Sequence, residues 1–143
     1  MDIKDIVKQV ITKYSDGYPD PFRIAKNMNY IILKEDLGTT NGYYYNYNRN
    51  KIIGINYNLN EIEQLRVCAH EIGHSILHED AHYLFLCKKA FFSMSKYEKE
   101  ADIFAIHLLL SKFDEDEIST FTTEDIANIT SYPLKYVNRI FFN

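Results

Sequence analysis

Apolar residues recur every three or four positions in several stretches of the chain, which is the spacing of a helix with one buried face. The first stretch covers residues 1–14, and the second covers 20–28, where Asp20 suits the N-cap and Pro21 the first helical position. The third runs from Asn60, a suitable N-cap, to Asp80. Its recurring apolar residues are Ile62, Leu65, Ala69, Ile72 and Ile76. The pattern therefore predicts three helices in the first 80 residues.

Short runs of strand-forming residues lie between the second and third helices. The first run is 30–33, and two more, 43–47 and 51–57, flank an Asn-Arg-Asn turn at 48–50, whose asparagines tolerate positive φ. We expect the last two runs to form a hairpin in a small antiparallel sheet. An exposed edge of this hairpin is suited to binding an extended peptide, although each tyrosine in it, taken singly, is better explained as an ordinary strand residue.

A fourth helical pattern lies in the second half of the chain. We expect an irregular connection over residues 81–94, which are rich in aromatic side chains and would cover a site on the third helix. Ser95 and Glu98 match the Ser-x-x-Glu sequence of a capping box, so the helix is predicted to begin at Ser95 and to run to Leu110. Two short helices joined near residue 131 are predicted in the C-terminal part.

The composition is that of one globular domain of ordinary size. The chain has 143 residues, of which 46% are hydrophobic and 25% charged, which is enough to form one core. We therefore interpret residues 1–143 as a single domain of the α+β class. It has a helical core, a small antiparallel β-sheet and C-terminal short helices, and residues 112–143 are a candidate helical subdomain.

Net charge and hydropathy indicate which partners and which cellular compartment the sequence favours. A net charge of −4 and a pI near 5.7 argue against nonspecific binding to nucleic acid or to an anionic membrane surface. No apolar run is long enough for a signal peptide or a membrane span, so we expect a cytoplasmic protein. The two cysteines, Cys68 and Cys87, form no disulfide framework and are interpreted as reduced core thiols.

The third helical stretch carries the sequence His-Glu-Ile-Gly-His at residues 70–74. Two histidines four residues apart lie on the same face of a helix, so both imidazoles can reach one metal ion and Glu71 lies beside it. Bound zinc lowers the pKa of a water to about 7, and an adjacent carboxylate can take the proton of that water. The motif predicts a zinc hydrolase with ligands His70 and His74 and base Glu71. Taken alone, it also fits two ordinary helical histidines.

The fourth helix offers the missing ligand. Glu98 and Asp102 are four residues apart on one flank, so Glu98 can be the third zinc ligand while Asp102 accepts the outer N–H of a ligand histidine. Glu100 lies on another face and is the second choice of ligand. Small residues at Ala101 and Ala105 would let the two helices approach closely. Acids at a helix start also complement the helix dipole, but this explains Asp102, in the second turn, less well.

Three other histidines are weaker candidates for metal ligation. His78 lies two turns from His70, and we expect it to cap the helix end or to hydrogen-bond a ligand. His82 is expected at the surface, and His107 is expected to be a packing or surface residue.

The two motifs together resemble those of the ImmA/IrrE-type metallo-endopeptidases. The family pattern is HExGHxxLH followed by ExEAxxFAxxLL, and this chain reads HEIGHSILH at 70–78 and EKEADIFAIHLLL at 98–110. The resemblance covers roughly residues 18–111. The family's helix often ends in Leu-Met-Pro, whereas this helix continues as Ser111-Lys112 without a proline. The resemblance implies a zincin-like fold and one zinc ion per chain on His70, His74 and Glu98.

The resemblance also implies a function, namely cleavage of a helix-turn-helix repressor that silences a mobile element, a prophage or stress genes. A rival hypothesis is a non-proteolytic, metal-containing regulator that binds or sequesters a transcription factor. A weaker rival is a DNA-binding regulator, because the C-terminal helix pair faintly resembles a helix-turn-helix. Only Lys135 and Arg139 supply positive charge in its second helix, so packing or repressor contact is the better interpretation of this pair.

Overall fold

A computed structural model of the chain describes residues 2–78 and 91–142, without the side chains of 91–95 and 142. Within these residues it has seven helices and three strands. The elements before residue 78 are α1 (Ile3–Tyr14), α2 (Pro21–Asn27), β1 (Ile31–Glu35), β2 (Gly42–Tyr47), β3 (Asn50–Asn56) and α3 (Glu61–Leu77). The elements after residue 90 are α4 (Phe91–Leu110), α5 (Glu115–Ser119), α6 (Thr123–Thr130) and α7 (Leu134–Phe142). The α+β fold class is confirmed, including the helical core and the C-terminal short helices.

The starts of α2 and α3 follow the predicted capping chemistry. The Asp20 carboxylate accepts a hydrogen bond from the backbone N–H of Phe22 at 3.0 Å. At α3, Asn60 and Glu63 form a reciprocal capping box: each side chain accepts from the other's backbone N–H, at 2.9 and 3.0 Å. Such caps contribute about 1 kcal/mol each, so they fix where the helix that carries the His-Glu-Ile-Gly-His motif begins.

The predicted start of the fourth helix is wrong. Within the described residues helix α4 spans Phe91–Leu110, so Ser95 lies inside the helix and not at its N-cap position. A Ser-x-x-Glu sequence starts a helix only where the residues before it cannot continue the helix, and residues 91–94 contain neither proline nor glycine. The predicted irregular connection is therefore helical over 91–94, and its remainder, up to residue 90, lies outside the described residues.

The three strands form one sheet in the order β1-β3-β2. The predicted hairpin is confirmed: β2 and β3 pair antiparallel, and Asn48 and Arg49 both take positive φ, as a tight two-residue hairpin turn requires. The sheet as a whole is mixed, which corrects the expectation of an antiparallel sheet, because β1 pairs parallel to β3. Chain direction reverses at each turn, so β1 and β3 run the same way, and β3 lies between the other two strands.

Helices α3 and α4 pack against each other through small residues, as Ala101 and Ala105 predict. Both alanines are fully buried. On α3, a Cβ atom at Gly73 would lie 3.1 Å from Cβ and Cδ1 of Phe104, so the backbone of α3 approaches the other helix closely at this point. This close contact lies next to His74 and brings the two motif-bearing helices together. The C-terminal helix α6 packs against both α3 and α4, and α7 packs against α6.

The sheet contacts α3 at Gly42, the first residue of β2. A Cβ atom at Gly42 would lie 2.4 Å from Cγ1 of Val67 and 2.6 Å from the backbone oxygen of Gly54. Because a backbone oxygen cannot move aside as a side chain can, we expect Gly42→Ala to lower the free energy of unfolding by about 1–3 kcal/mol, the range for overpacking. Urea denaturation measures the free energy of unfolding, with Asn46→Ala, at an exposed position of β2, as the control. Equal stability of the two variants would contradict the contact.

No helix in the described ranges is long and apolar enough to cross a membrane.

Candidate metal centre

The two motif histidines point towards one carboxylate on the neighbouring helix. His70 and His74 lie on α3, and Glu98 lies on α4. The Nε2 atom of His70 is 3.0 Å from one oxygen of Glu98, and Nε2 of His74 is 2.8 Å from the other oxygen. The three side chains offer ligand atoms that all lie within 4.8 Å of one another. The structure therefore brings together the three residues that the sequence nominated as ligands.

The charge of this cluster suits a divalent cation. Burial by itself raises the pKa of Glu98, but the hydrogen bonds to His70 and His74 outweigh burial and hold the pKa well below its usual value. Burial lowers the pKa of His70, yet the hydrogen bonds to Asp102 and Glu98 raise it well above the ordinary value, so a metal ion that binds His70 must displace a proton. One carboxylate beside two imidazoles is among the donor sets that zinc binds in catalytic sites.

Glu71 lies beside this cluster and is almost fully buried, with 3% of its surface exposed. Its Oε2 atom is 4.0 Å from Nε2 of His70, while its Oε1 atom has no hydrogen-bond partner among the described residues. Burial raises the pKa of the Glu71 carboxyl, and the nearby imidazoles of His70 and His74 partly oppose this. A carboxylate with an unused oxygen and a raised pKa is suited to accept a proton near neutral pH.

The carboxylate of Asp102 hydrogen-bonds Nδ1 of His70, the outer ring nitrogen that does not face Glu98, as the sequence predicts. The Nδ1 atom of His70 lies 2.7 Å from Oδ1 of Asp102. Two residues from the C-terminal helices also donate to this carboxylate: the hydroxyl of Tyr132 bonds Oδ1 at 2.6 Å, and the hydroxyl of Tyr136 bonds Oδ2. Burial, followed by the Asp102 charge and hydrogen bond, raises the pKa of both tyrosines, so both remain hydrogen-bond donors. The carboxylate of Asp102 thus has three hydrogen-bond partners, His70, Tyr132 and Tyr136.

His78 lies at the C-terminal end of α3, where its backbone N–H bonds the carbonyl of His74 at 2.9 Å. Its Nδ1 atom is 3.0 Å from Nδ1 of His74, and its Nε2 atom is 3.0 Å from Oε1 of Glu100. It therefore caps the helix and also contacts a nominated ligand, the two roles that the sequence suggested. Glu100, the second choice of ligand, faces His78 and is absent from the three-residue cluster.

A cleft of about 450 Å³ opens onto Glu71, His70 and Glu98. Asn41 and Gly42 at the start of β2 line it on one side, and its other lining residues include Arg66, Asp102, Tyr132 and Tyr136. The guanidinium of Arg66 lies 5.2 Å over the ring of Tyr132, and its Nε atom has no hydrogen-bond partner in the described part of the chain. The cleft is thus lined by both the carboxylate of Glu71 and the guanidinium of Arg66.

The remaining candidate residues lie away from this cluster. Cys68 is a free thiol in the hydrophobic core, as predicted, and burial raises its pKa. His107 is half-buried and its ring contacts that of Phe141 at a centroid distance of 6.0 Å. Cys87 and His82 lie outside the described residues.

Comparison with known proteins agrees with this geometry. A family of peptidases described as the IrrE N-terminal-like domain matches residues 25–131, more than half of the chain. The chain is 37% identical over 134 residues to "uncharacterized immunity region protein 2" of Bacillus phage phi105, covering 92% of the chain and 84% of that protein. It is 30% identical over 141 residues to metallopeptidase ImmA of Bacillus subtilis strain 168, covering 94% and 82%. The chain therefore belongs to the ImmA/IrrE family of metallopeptidases.

Proposed function

We propose that this protein is a zinc-dependent endopeptidase with one zinc ion per chain, held by His70, His74 and Glu98. The observation that carries the proposal is the buried Glu71, whose Oε2 atom lies 4.0 Å from a member of a three-residue donor set of the kind zinc binds and whose Oε1 atom has no hydrogen-bond partner among the described residues. Asp102 supports His70 from the side opposite the ion. Residues 1–143 act as one metallopeptidase domain, because Tyr132 and Tyr136 from the C-terminal helices reach the same site.

When bound, zinc polarises a carbonyl and lowers the pKa of a coordinated water. The chain's own residues bind the reactants and transfer the proton. Glu71 accepts the proton of the attacking water and then delivers it to the amine that leaves, so one buried carboxylate serves as base and as acid. The hydrogen bond from His70 Nδ1 to Asp102 keeps the proton of His70 on the outer nitrogen.

The substrate lies along β2 in this proposal. Among the described strands, β2 has a neighbour on one side only, and its first residue, Gly42, lines the cleft. An extended peptide can pair with the free edge by main-chain hydrogen bonds, and this places one of its carbonyls beside Glu71. Arg66 lies in the same cleft and offers a cation to carbonyl or carboxylate oxygens of the peptide.

The proposed substrate is a helix-turn-helix repressor, whose cleavage would relieve repression of a mobile element, a prophage or stress genes. One relative of this chain is named for a phage immunity region and another as a metallopeptidase, which supports such a role. A DNA-bound repressor is found in the cytoplasm, so we place the peptidase there too. The protein need not contact nucleic acid itself, in keeping with its net charge of −4.

The test uses a purified repressor whose gene neighbours that of this chain. We expect the zinc-loaded protein to cut it at a defined site, a chelator to stop the cut and added zinc to restore it, since activity depends on the ion. Mass spectrometry of the fragments measures the result. A repressor that binds the protein but stays intact in the presence of zinc would favour the rival hypothesis of a non-proteolytic regulator.

A further inference from the structure

His78 forms a hydrogen-bonded connection between a nominated zinc ligand and a carboxylate on the other helix. Its Nδ1 atom lies 3.0 Å from Nδ1 of His74, and its Nε2 atom lies 3.0 Å from Oε1 of Glu100. The side chains of His74 and His78 are each 3% exposed, whereas that of Glu100 is 35% exposed. The three side chains therefore form a short chain that leads from the candidate metal centre towards solvent.

The proton positions along this chain follow from both of its ends. The Nε2 atom of His74 faces Glu98 and the zinc site, and a nitrogen that binds zinc carries no proton, so the ring proton of His74 must lie on Nδ1. His78 Nδ1 must then accept that hydrogen bond, which leaves the proton of His78 on Nε2. A carboxylate oxygen accepts hydrogen bonds, so Oε1 of Glu100 accepts the hydrogen bond that Nε2–H of His78 donates.

The ring of His78 is also held in place by its surroundings. Its backbone N–H ends α3 by bonding the carbonyl of His74, and its ring packs edge-on against Tyr97 at a centroid distance of 4.4 Å. The ring of Tyr97 and the carboxylate of Glu100 both come from α4. Rotation of the His78 ring would therefore break contacts to two elements at once.

We propose that His78 is a positioning residue of the metal centre: it fixes His74 in the tautomer that presents Nε2 to zinc, and Glu100 fixes His78 in turn. This inference rests on the zinc site proposed above and deepens it. Each ligand histidine then has a hydrogen bond that orients its Nδ1 atom. His70 bonds Asp102 directly, whereas His74 bonds His78, which in turn bonds Glu100. Such outer contacts are commonly worth 10–100-fold in metal affinity.

The first test reads the tautomers directly in the unaltered protein. Long-range ¹H–¹⁵N correlation spectra of the zinc-loaded, ¹⁵N-labelled chain distinguish protonated from unprotonated ring nitrogens. We expect the proton of His78 on Nε2 and that of His74 on Nδ1, with the His78→Phe variant used to assign the His78 signals. A proton on Nδ1 of His78 in the zinc-loaded chain would overturn the inference.

The second test measures zinc dissociation constants by competition with a chelator. We expect His78→Phe, which keeps a ring against Tyr97 but removes the acceptor, to weaken zinc binding by about 10–100-fold. His78→Gln retains an oxygen that can accept from His74 and should recover most of the affinity. Glu100→Gln keeps an acceptor and should change little, whereas Glu100→Lys replaces it by a donor and should weaken binding. The matched control is Glu124→Lys at an exposed position of α6.

Each outcome of the second test decides one question. Wild-type zinc affinity in His78→Phe would overturn the inference while leaving the zinc site intact. Equal weakening in His78→Phe and His78→Gln would also overturn it, because the effect would then come from side-chain shape and not from hydrogen bonding. A wild-type chain that binds no zinc would instead overturn the proposed function. Thermal unfolding of the metal-free variants separates loss of affinity from loss of fold.

Discussion

The Glu71→Gln variant is expected to bind zinc as the wild type does and to cleave its substrate about 10²–10⁴-fold more slowly, the usual contribution of a general base. The amide has nearly the shape of the carboxylate but cannot take up a proton. Glu71 is 3% exposed and its Oε1 atom has no partner among the described residues, so the substitution removes a proton acceptor without breaking an observed hydrogen bond at that atom. Cleavage rates and zinc content of the same preparations measure both halves of the prediction.

The control for this variant is Glu61→Gln, an exposed substitution in the first turn of the same helix, which should leave the rate unchanged. In cells, Glu71→Gln also separates cleavage from sequestration, because a protein that merely binds a repressor needs no base. Full relief of repression by Glu71→Gln would show that catalysis is not the function of this site.

Glu98→Ala is expected to cause the largest loss of zinc affinity from a change on α4. Glu98 places one oxygen 3.0 Å from His70 and the other 2.8 Å from His74, so its removal leaves two imidazoles without the anion between them. The loss should exceed the roughly 10–100-fold that follows when only a hydrogen-bonding partner of a ligand is removed. Chelator competition measures the affinity, with the exposed Glu124→Ala as control.

Glu100, on the same helix, is the alternative candidate for the third zinc ligand. If Glu98→Ala kept wild-type affinity while Glu100→Ala lost zinc, Glu100 would be the third ligand and the observed orientation of the two side chains would be wrong for the loaded protein. The contact between Glu100 and His78 predicts the opposite order, with the smaller effect at Glu100.

The candidate site could be nominated from sequence because helical periodicity converts spacing into geometry. His70 and His74, like Glu98 and Asp102, are four residues apart, and four residues return a helix to the same face. Asn60 marks the start of α3 through its own side chain, so that boundary was also predictable. Spacing alone therefore places each pair of side chains on one helix face, whereas the expectation that the two pairs meet comes from the chemistry of zinc ligands.

Contacts between distant segments could not be predicted in this way. Tyr132 and Tyr136 reach Asp102 from 30 and 34 residues further along the chain, and no local pattern encodes that approach. The parallel pairing of β1 with β3 depends on which strand lies in the middle of the sheet, a property of the packed fold. The helical residues that precede Ser95 in α4 are not predicted, because a capping sequence is ambiguous when the preceding residues also form helix.

The metal content of the purified protein, measured for the wild type beside His70→Ala, is the most direct test of a zinc site built from His70, His74 and Glu98. We expect about one zinc ion per chain in the wild type and a large loss of zinc in the variant, since zinc in catalytic sites is held by three protein side chains. A wild-type chain that contains no metal, even after zinc is supplied, would show that these three residues do not form a zinc site.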